Sequence, residues 1–202
     1  MTNPTPHHSP NDTGWIEVIC GCMFSGKTEE LIRRVRRAQI AKQTVIVFKP
    51  MIDTRYSNDQ IVSHSEQSHT SVSIEKTQDI LDISEDYQVI GVDEAQFFSP
   101  DIVDICNTLA DRGKRVIVAG LDQDYLGKPF EPVPQLLAIA EYITKTLAIC
   151  MVCGNPADRT QRITKSQERV LVGAKDHYEA RCRKCFAPPD ESQQIIDKME
   201  II

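Results

Sequence analysis

The chain has 202 residues, 41% hydrophobic and 26% charged, enough for one full core with a small appendage and too apolar for wholesale disorder. A net charge of −6 and a pI near 5.4 argue against a protein devoted to coating nucleic acid. No apolar run is long enough for a membrane span, the start lacks the layout of a signal peptide, and the cysteine count is odd; together these place the chain in the cytoplasm, with thiols and metal ligands in place of a disulfide framework.

Residues 1–13 are Pro, Asn, Thr and His with one large apolar group, so they predict a disordered leader. Trp15, Ile16, Val18, Ile19 and Cys20 predict a buried strand. After a glycine-bearing loop, residues 29–41 carry Leu31, Ile32, Val35 and Ala38 at helical spacing. Residues 44–48 are a continuous apolar strand, the kind covered on both faces in a parallel sheet. Residues 49–69 show little periodicity and predict a long loop. A short helix over 77–83 and an apolar strand over 87–92 follow. Ser99 and Pro100 predict a helix start, with Ile102, Val103, Ile105, Cys106 and Leu109 on its apolar face and Gly113 at its end. Cys106 reads as a buried structural thiol. Next come a strand at 115–119, a polar loop at 120–127, a helix at 133–140 and a strand at 142–149.

Strands alternating with helices predict an α/β fold with a mainly parallel sheet and ligands beyond the carboxyl ends of its strands. At the end of the first strand stand Gly21, Cys22, Met23, Phe24, Ser25, Gly26, Lys27 and Thr28, a complete phosphate-binding loop in strand-loop-helix context. Its backbone N–H groups would cradle a polyphosphate at a helix N-terminus, Lys27 would reach the β- and γ-phosphates, and Thr28 would ligate Mg²⁺. The strand at 87–92 ends in Asp93 and Glu94. Successive residues point to opposite sides of a strand, so Asp93 is assigned to the metal and Glu94 to the acceptor as base. A turn of solvated acidic residues is the alternative if the pair stood alone.

Cys150, Cys153, Cys182 and Cys185 form two C-x-x-C pairs separated by 28 residues, a spacing that suits a tetrahedral structural Zn²⁺. A redox C-x-x-C competes, and two pairs in one short region favour zinc. The stretch between the pairs is too polar for its own core and predicts a loop pinned by zinc. Its bland alternative is a ribbon that only stabilises, or one that touches nucleic acid through Arg159, Arg162, Lys165 and Arg169.

The order of these motifs, together with 53–57 (Asp53 Thr54 Arg55 Tyr56 Ser57) and Asp93 to Phe98, resembles the type II thymidine kinases, the cytosolic class with a zinc-held lasso, from about Gly14 to Cys185. The resemblance implies a P-loop NTPase-type sheet with helices on both faces over 14–149, a zinc-binding lasso domain over 150–187 and a tail over 188–202. It implies ATP-dependent phosphorylation of thymidine, and of deoxyuridine, at the 5′-hydroxyl in nucleotide salvage. It assigns residues 21–28 to ATP, Asp53 and Arg55 to phosphates and metal, Glu94 to the catalytic base, and Asp93 and Gln96 to its flanks in the nucleotide site. Met23, Leu121, Tyr125 and Phe130 would wall the nucleoside, Arg169, Val170, Leu171, Val172 and Gly173 would read the thymine edge through backbone groups, and Tyr178 would contact the nucleoside. Tyr125 stands where many members carry phenylalanine. Further implications are Mg²⁺ with ATP, structural Zn²⁺, feedback by dTTP and a homotetramer, with no membrane and no nucleic acid as partner. Cys22 in the phosphate loop predicts activity sensitive to oxidation. The rivals are a P-loop ATPase whose zinc ribbon binds nucleic acid, marked by salt-dependent DNA binding, and a non-catalytic nucleotide-binding module, marked by no acceptor-dependent ATP turnover.

Overall fold

The computed structural model describes residues 13–51, 60–62, 68–164 and 177–188, with the backbone alone at 60–62 and 68–70. Residues 1–12 of the expected leader over 1–13, Asp53, Arg55, Lys165, the thymine-edge residues Arg169, Val170, Leu171, Val172 and Gly173, and residues 189–202 of the tail lie outside the described residues.

The main sheet has six strands, in the order β5-β2-β6-β7-β1-β8, and every neighbouring pair is parallel. They are β1 (Trp15–Cys20), β2 (Val45–Pro50), β5 (Val72–Ile74), β6 (Val89–Val92), β7 (Arg115–Gly120) and β8 (Tyr142–Lys145). Their alternation sends one set of side chains to each face, which is why the inner strands β2, β6 and β7 read as largely apolar runs, while the edge strands β5 and β8 do not. Ile16, Val18, Ile46, Phe48, Ile90, Val92, Val116 and Val118 build one core with α3 (Ile102–Asp111) and α4 (Val133–Ile139). Ile19, Val47, Val89, Ile117 and Ala119 build the other with Leu31, Ile32, Val35 and Ala38 of α1 (Lys27–Ile40). Cys106 faces the first core, fully buried, and burial pushes its thiol up to about 12.

Glu17 interrupts the α1 face with a fully buried carboxylate. It accepts hydrogen bonds from Arg34 Nη1 at 2.7 Å, Arg115 Nε at 2.6 Å and Trp15 Nε1 at 2.8 Å. Burial alone would raise its pKa, yet the Arg115 and Trp15 hydrogen bonds and the two guanidinium charges hold it below the ordinary value.

Four expectations are corrected. The region read as a loop over 49–69 begins with the last residues of β2 and holds an antiparallel pair, β3 (Gln60–Val62) with β4 (Ser68–Thr70); just beyond it lies the edge strand β5. At three residues each, these strands are too short for alternation to register. The short helix is α2 (Asp79–Ile83), two residues shorter than expected at its start. The hydroxyl of Ser99 does not cap α3: it donates to Thr77 Oγ1 at 2.9 Å, and the helix is entered through backbone bonds from Ile102 N–H to Ser99 and Val103 N–H to Pro100. Finally, the strand over 142–149 is two strands. Thr146 sends both its N–H and its hydroxyl to Cys20 C=O, at 2.8 and 3.0 Å, which turns the chain off the sheet after β8. Beyond that turn β9 (Ala148–Ile149) pairs with β10 (Pro156–Ala157), and β11 (Arg159–Arg162) pairs with β12 (Tyr178–Arg181), both antiparallel.

Candidate active site

The loop expected to bind phosphate, residues 21–26, links the end of β1 to α1. Gly21, at φ 145°, passes so close to Thr146 that a Cβ would lie 2.3 Å from its carbonyl oxygen, and Gly26 enters the helix at φ 83°. Only glycine takes both demands at low cost. No side chain caps α1, which leaves its first N–H groups directed at the loop, where an anion is favoured. Lys27 Nζ donates to Cys22 C=O at 2.8 Å, and Ser25 Oγ donates to the same oxygen at 2.8 Å while meeting Thr146 Oγ1 at 2.8 Å.

Asp93 and Glu94 follow β6, beside the loop. Asp93 is buried, its Oδ2 accepts from Thr28 Oγ1 at 3.2 Å, and its Oδ1 accepts from the Glu94 N–H at 3.0 Å. Desolvation, reinforced by the Glu94 charge, pushes Asp93 up to about 7 against the opposing pull of the Glu94 N–H, Lys27 and Thr28. A carboxylate and a hydroxyl this close are a hard-oxygen pair that fits Mg²⁺. Glu94 sits in the left-handed region at φ 53°, ψ 43°, and opens one turn of 3-10 helix at Ala95–Phe97. Its Oε2 accepts from Gln96 Nε2 at 2.6 Å, and Gln96 Oε1 accepts from the Leu121 N–H at 2.9 Å. Gln96 thus uses both ends of its amide and ties the carboxylate to the loop after β7.

That loop carries the expected nucleoside walls. Asp124 Oδ1 accepts from the N–H groups of Leu126 and Lys128 at 2.9 and 3.0 Å, and Gly127 N–H closes a turn onto Asp124 C=O. Tyr125 rides on this turn, and Phe130 packs edge-on to Phe97 with ring centroids 6.1 Å apart. Tyr178, from β12, joins Tyr125 through Arg162, whose guanidinium touches both. The structure therefore gathers the loop, the acidic pair, Gln96, Tyr125 and Tyr178 from one end of the sheet and from the cysteine-bearing module.

The four cysteines converge, their sulfurs all within 4.8 Å of one another. A tetrahedral zinc with ~2.3 Å Zn–S bonds has edges of about 3.8 Å between sulfurs, and Cys153 Sγ lies 3.6 Å from Cys182 Sγ. Burial works against ionisation at Cys150, yet backbone hydrogen bonds from Cys182, Val152 and Cys153 bring its thiol down to about 6. Four converging soft donors, with backbone N–H support at Cys150 and Cys182, fit structural Zn²⁺.

Cys22 belongs to this module more than to the phosphates. It is 1% exposed, packs with Ala148, Cys150, Ala157, Ala180 and Cys182, and its thiol donates to Ala157 C=O at 3.3 Å. Burial raises its pKa, so it is held as a protonated, enclosed thiol, and the expected oxidation sensitivity has no exposed thiolate behind it. The sequence reading passed over Thr160, whose Oγ1 accepts the Met23 N–H at 3.0 Å, and Thr146. Nothing local distinguishes either from other threonines. Arg159 and Arg162, two of the basic residues of the nucleic-acid alternative, are turned inward, Arg159 onto Gln123 and Arg162 onto Tyr125 and Tyr178.

The thymidine kinase family profile matches residues 14–186. A thymidine kinase from Rhodothermus sp. (strain ITI 518) is 60% identical over 176 residues, covering 87% of this chain and 83% of that protein. Since the match runs from the start of β1 past the second cysteine pair, and so takes in the phosphate loop, the acidic turn and the four-sulfur cluster as one unit, the chain belongs to the thymidine kinase family.

Proposed function

We propose that the chain transfers the γ-phosphoryl group of ATP to the 5′-hydroxyl of thymidine, giving dTMP and ADP for nucleotide salvage, and that it accepts deoxyuridine. The observation that carries the reading is the Glu94 carboxylate, fixed by Gln96 and next in the chain to Asp93, which accepts from Thr28 of the loop. Family membership supplies the substrate class.

The chemistry follows from the residues. A primary hydroxyl is a poor nucleophile that must be aligned and relieved of its proton. Glu94 accepts that proton as the hydroxyl oxygen bonds to the γ-phosphorus. The bond from that phosphorus to the β–γ bridging oxygen breaks, and the electron pair leaves with ADP. Lys27 releases Cys22 C=O to meet the phosphates, while the N–H groups of 24–28 hold their oxygens. When bound, Mg²⁺ neutralises charge on the β- and γ-oxygens, and Thr28 and Asp93 would hold it. Asp53 and Arg55 are assigned to the phosphate side by resemblance, and 169–173 to the thymine edge. Leu121, Tyr125, Phe130 and Tyr178 wall the nucleoside in this reading, and a site of backbone donors and acceptors rejects bases with the wrong pattern.

The reading divides the chain into a kinase domain over 14–149 and a zinc lasso over 150–187, and includes a homotetramer, dTTP feedback and a cytoplasmic location. Among the described residues no helix is long and apolar enough to cross a membrane. Light scattering tests the assembly, and inhibition by dTTP at fixed ATP tests the feedback. The central experiment is phosphoryl transfer from Mg·ATP to each nucleoside in turn. Formation of dTMP is expected; a folded, zinc-loaded sample that phosphorylates no nucleoside would overturn the activity.

A further inference from the structure

Arg162 is the last residue of β11 and stands opposite Tyr178 in the register of β12. It is 7% exposed. Its Nη2 donates to Tyr178 Oη at 2.7 Å, and its guanidinium carbon lies 3.6 Å from the ring centroid of Tyr125 and 5.2 Å from that of Tyr178. One step further along, Ile163 N–H bonds to His177 C=O at 2.9 Å, which closes the stem from which 165–176 depart. The guanidinium is therefore the point where that stem meets the loop after β7. Arg159 on Gln123 adds a second fastening between the same two segments.

A guanidinium is planar and able to stack on a ring while donating in its own plane. Stacking on Tyr125 takes one face of that ring, so a flat base can use only the other face or the edge. Donation to Tyr178 anchors its phenol oxygen, and so the outer end of the ring. The Asp124–Gly127 turn holds the Tyr125 backbone, but only Arg162 among the described contacts joins its ring to β12.

We propose that Arg162 is a positioning residue for the nucleoside: it sets the spacing of the two aromatic walls, Tyr125 and Tyr178, and couples them to the stem of the lasso. The inference rests on the thymidine kinase reading and names a specificity element of the same site. Arg162 has no part in phosphoryl transfer, so its loss acts on nucleoside affinity and leaves the ATP side alone.

The test is steady-state kinetics on the full zinc-loaded chain, varying thymidine and Mg·ATP separately, for wild type, Arg162→Met and Arg162→Lys. Arg162→Met is expected to raise the thymidine KM about tenfold, with kcat and the ATP KM within about twofold and zinc content unchanged. Arg162→Lys keeps the charge but cannot stack and donate together, so about a threefold rise is expected. It carries the test alone if the Met variant does not fold. An unmoved thymidine KM, or equal rises in both KM values, overturns the role. A cycle with Tyr125→Leu adds a second readout: the double variant should be less impaired than the product of the single effects, and a full product would mean the two side chains act independently. Wild type run alongside separates the two failures. If it phosphorylates no nucleoside, the activity reading falls and takes this inference with it; if it is active and the KM does not split, only Arg162 is wrongly assigned.

Discussion

Glu94 shows what a single residue costs and does. A non-glycine residue in the left-handed region costs roughly 1–2 kcal/mol, and here the strained residue carries the carboxylate that Gln96 holds. Replacing Glu94 by Ala should lower kcat by about 10²–10⁴-fold, the usual range for a positioned base. ATP affinity, measured by calorimetry, should stay near that of wild type, and a loss under tenfold in kcat would remove Glu94 from the base role. Glu17 makes the opposite case of a buried carboxylate with no part in the reaction. Its folded pKa lies below the ordinary value, so the stability it contributes is present above about pH 4.5 and is lost as pH falls through the folded pKa. Glu17→Gln takes the anion from half-buried Arg115 and leaves buried Arg34 with Glu30 as its remaining carboxylate, and should cost about 3 kcal/mol at pH 7. The gap in melting temperature between variant and wild type should narrow as pH falls below about 4.5 and through the folded pKa. A gap independent of pH would mean that packing, and not charge, holds the site.

Two helices end with the same motif on different residues. At the end of α3, Gly113 at φ 81° sends its N–H to Ala110 C=O, and Lys114 sends its own to Leu109. At the end of α1, Lys42 adopts φ 64°, with Lys42 N–H on Gln39 and Gln43 N–H on Ala38. Glycine suits the left-handed position and lysine does not. Lys42→Gly should therefore stabilise by about 0.5–1 kcal/mol and Gly113→Ala should destabilise by about 1 kcal/mol or more. Urea midpoints that move in opposite directions at constant slope are the expected result. The sequence marks the Gly113 end and not the Lys42 end, because a lysine carries no stop signal. In the same way the run over 142–149 looked like one strand. The break at Thr146 comes from bonds to Cys20, more than a hundred residues earlier, and local pattern holds no record of them.

Across the whole molecule, the cysteine module and the phosphate loop form one piece. Cys22 donates to Ala157 C=O, Met23 N–H donates to Thr160, and Ser25 meets Thr146, so the loop's far side rests on the module and on the turn leading into it. Removing zinc by chelation, or by Cys153→Ser, should weaken ATP binding as well as thymidine binding, although no cysteine of the cluster is assigned to either ligand. Metal analysis, far-UV circular dichroism and ATP titration on one sample check this. A zinc-free chain with intact sheet and unchanged ATP affinity would show the loop to be self-supporting.

The sequence by itself determined the parallel α/β sheet, the phosphate loop, the acidic pair and the cysteine pairs. Each is written in contiguous residues whose spacing is the physical requirement: unbroken apolar runs for strands covered on both faces, glycines where a Cβ would clash, two residues between paired thiolates. Only the tertiary structure decided which way Cys22 faces, that Gln96 spans Glu94 and Leu121, that Glu17 is neutralised by two arginines, and that Arg162 lies between Tyr125 and Tyr178. Those contacts join residues far apart in the chain or turned by a single dihedral, and their partners are set by packing, which leaves no periodicity in the sequence to read.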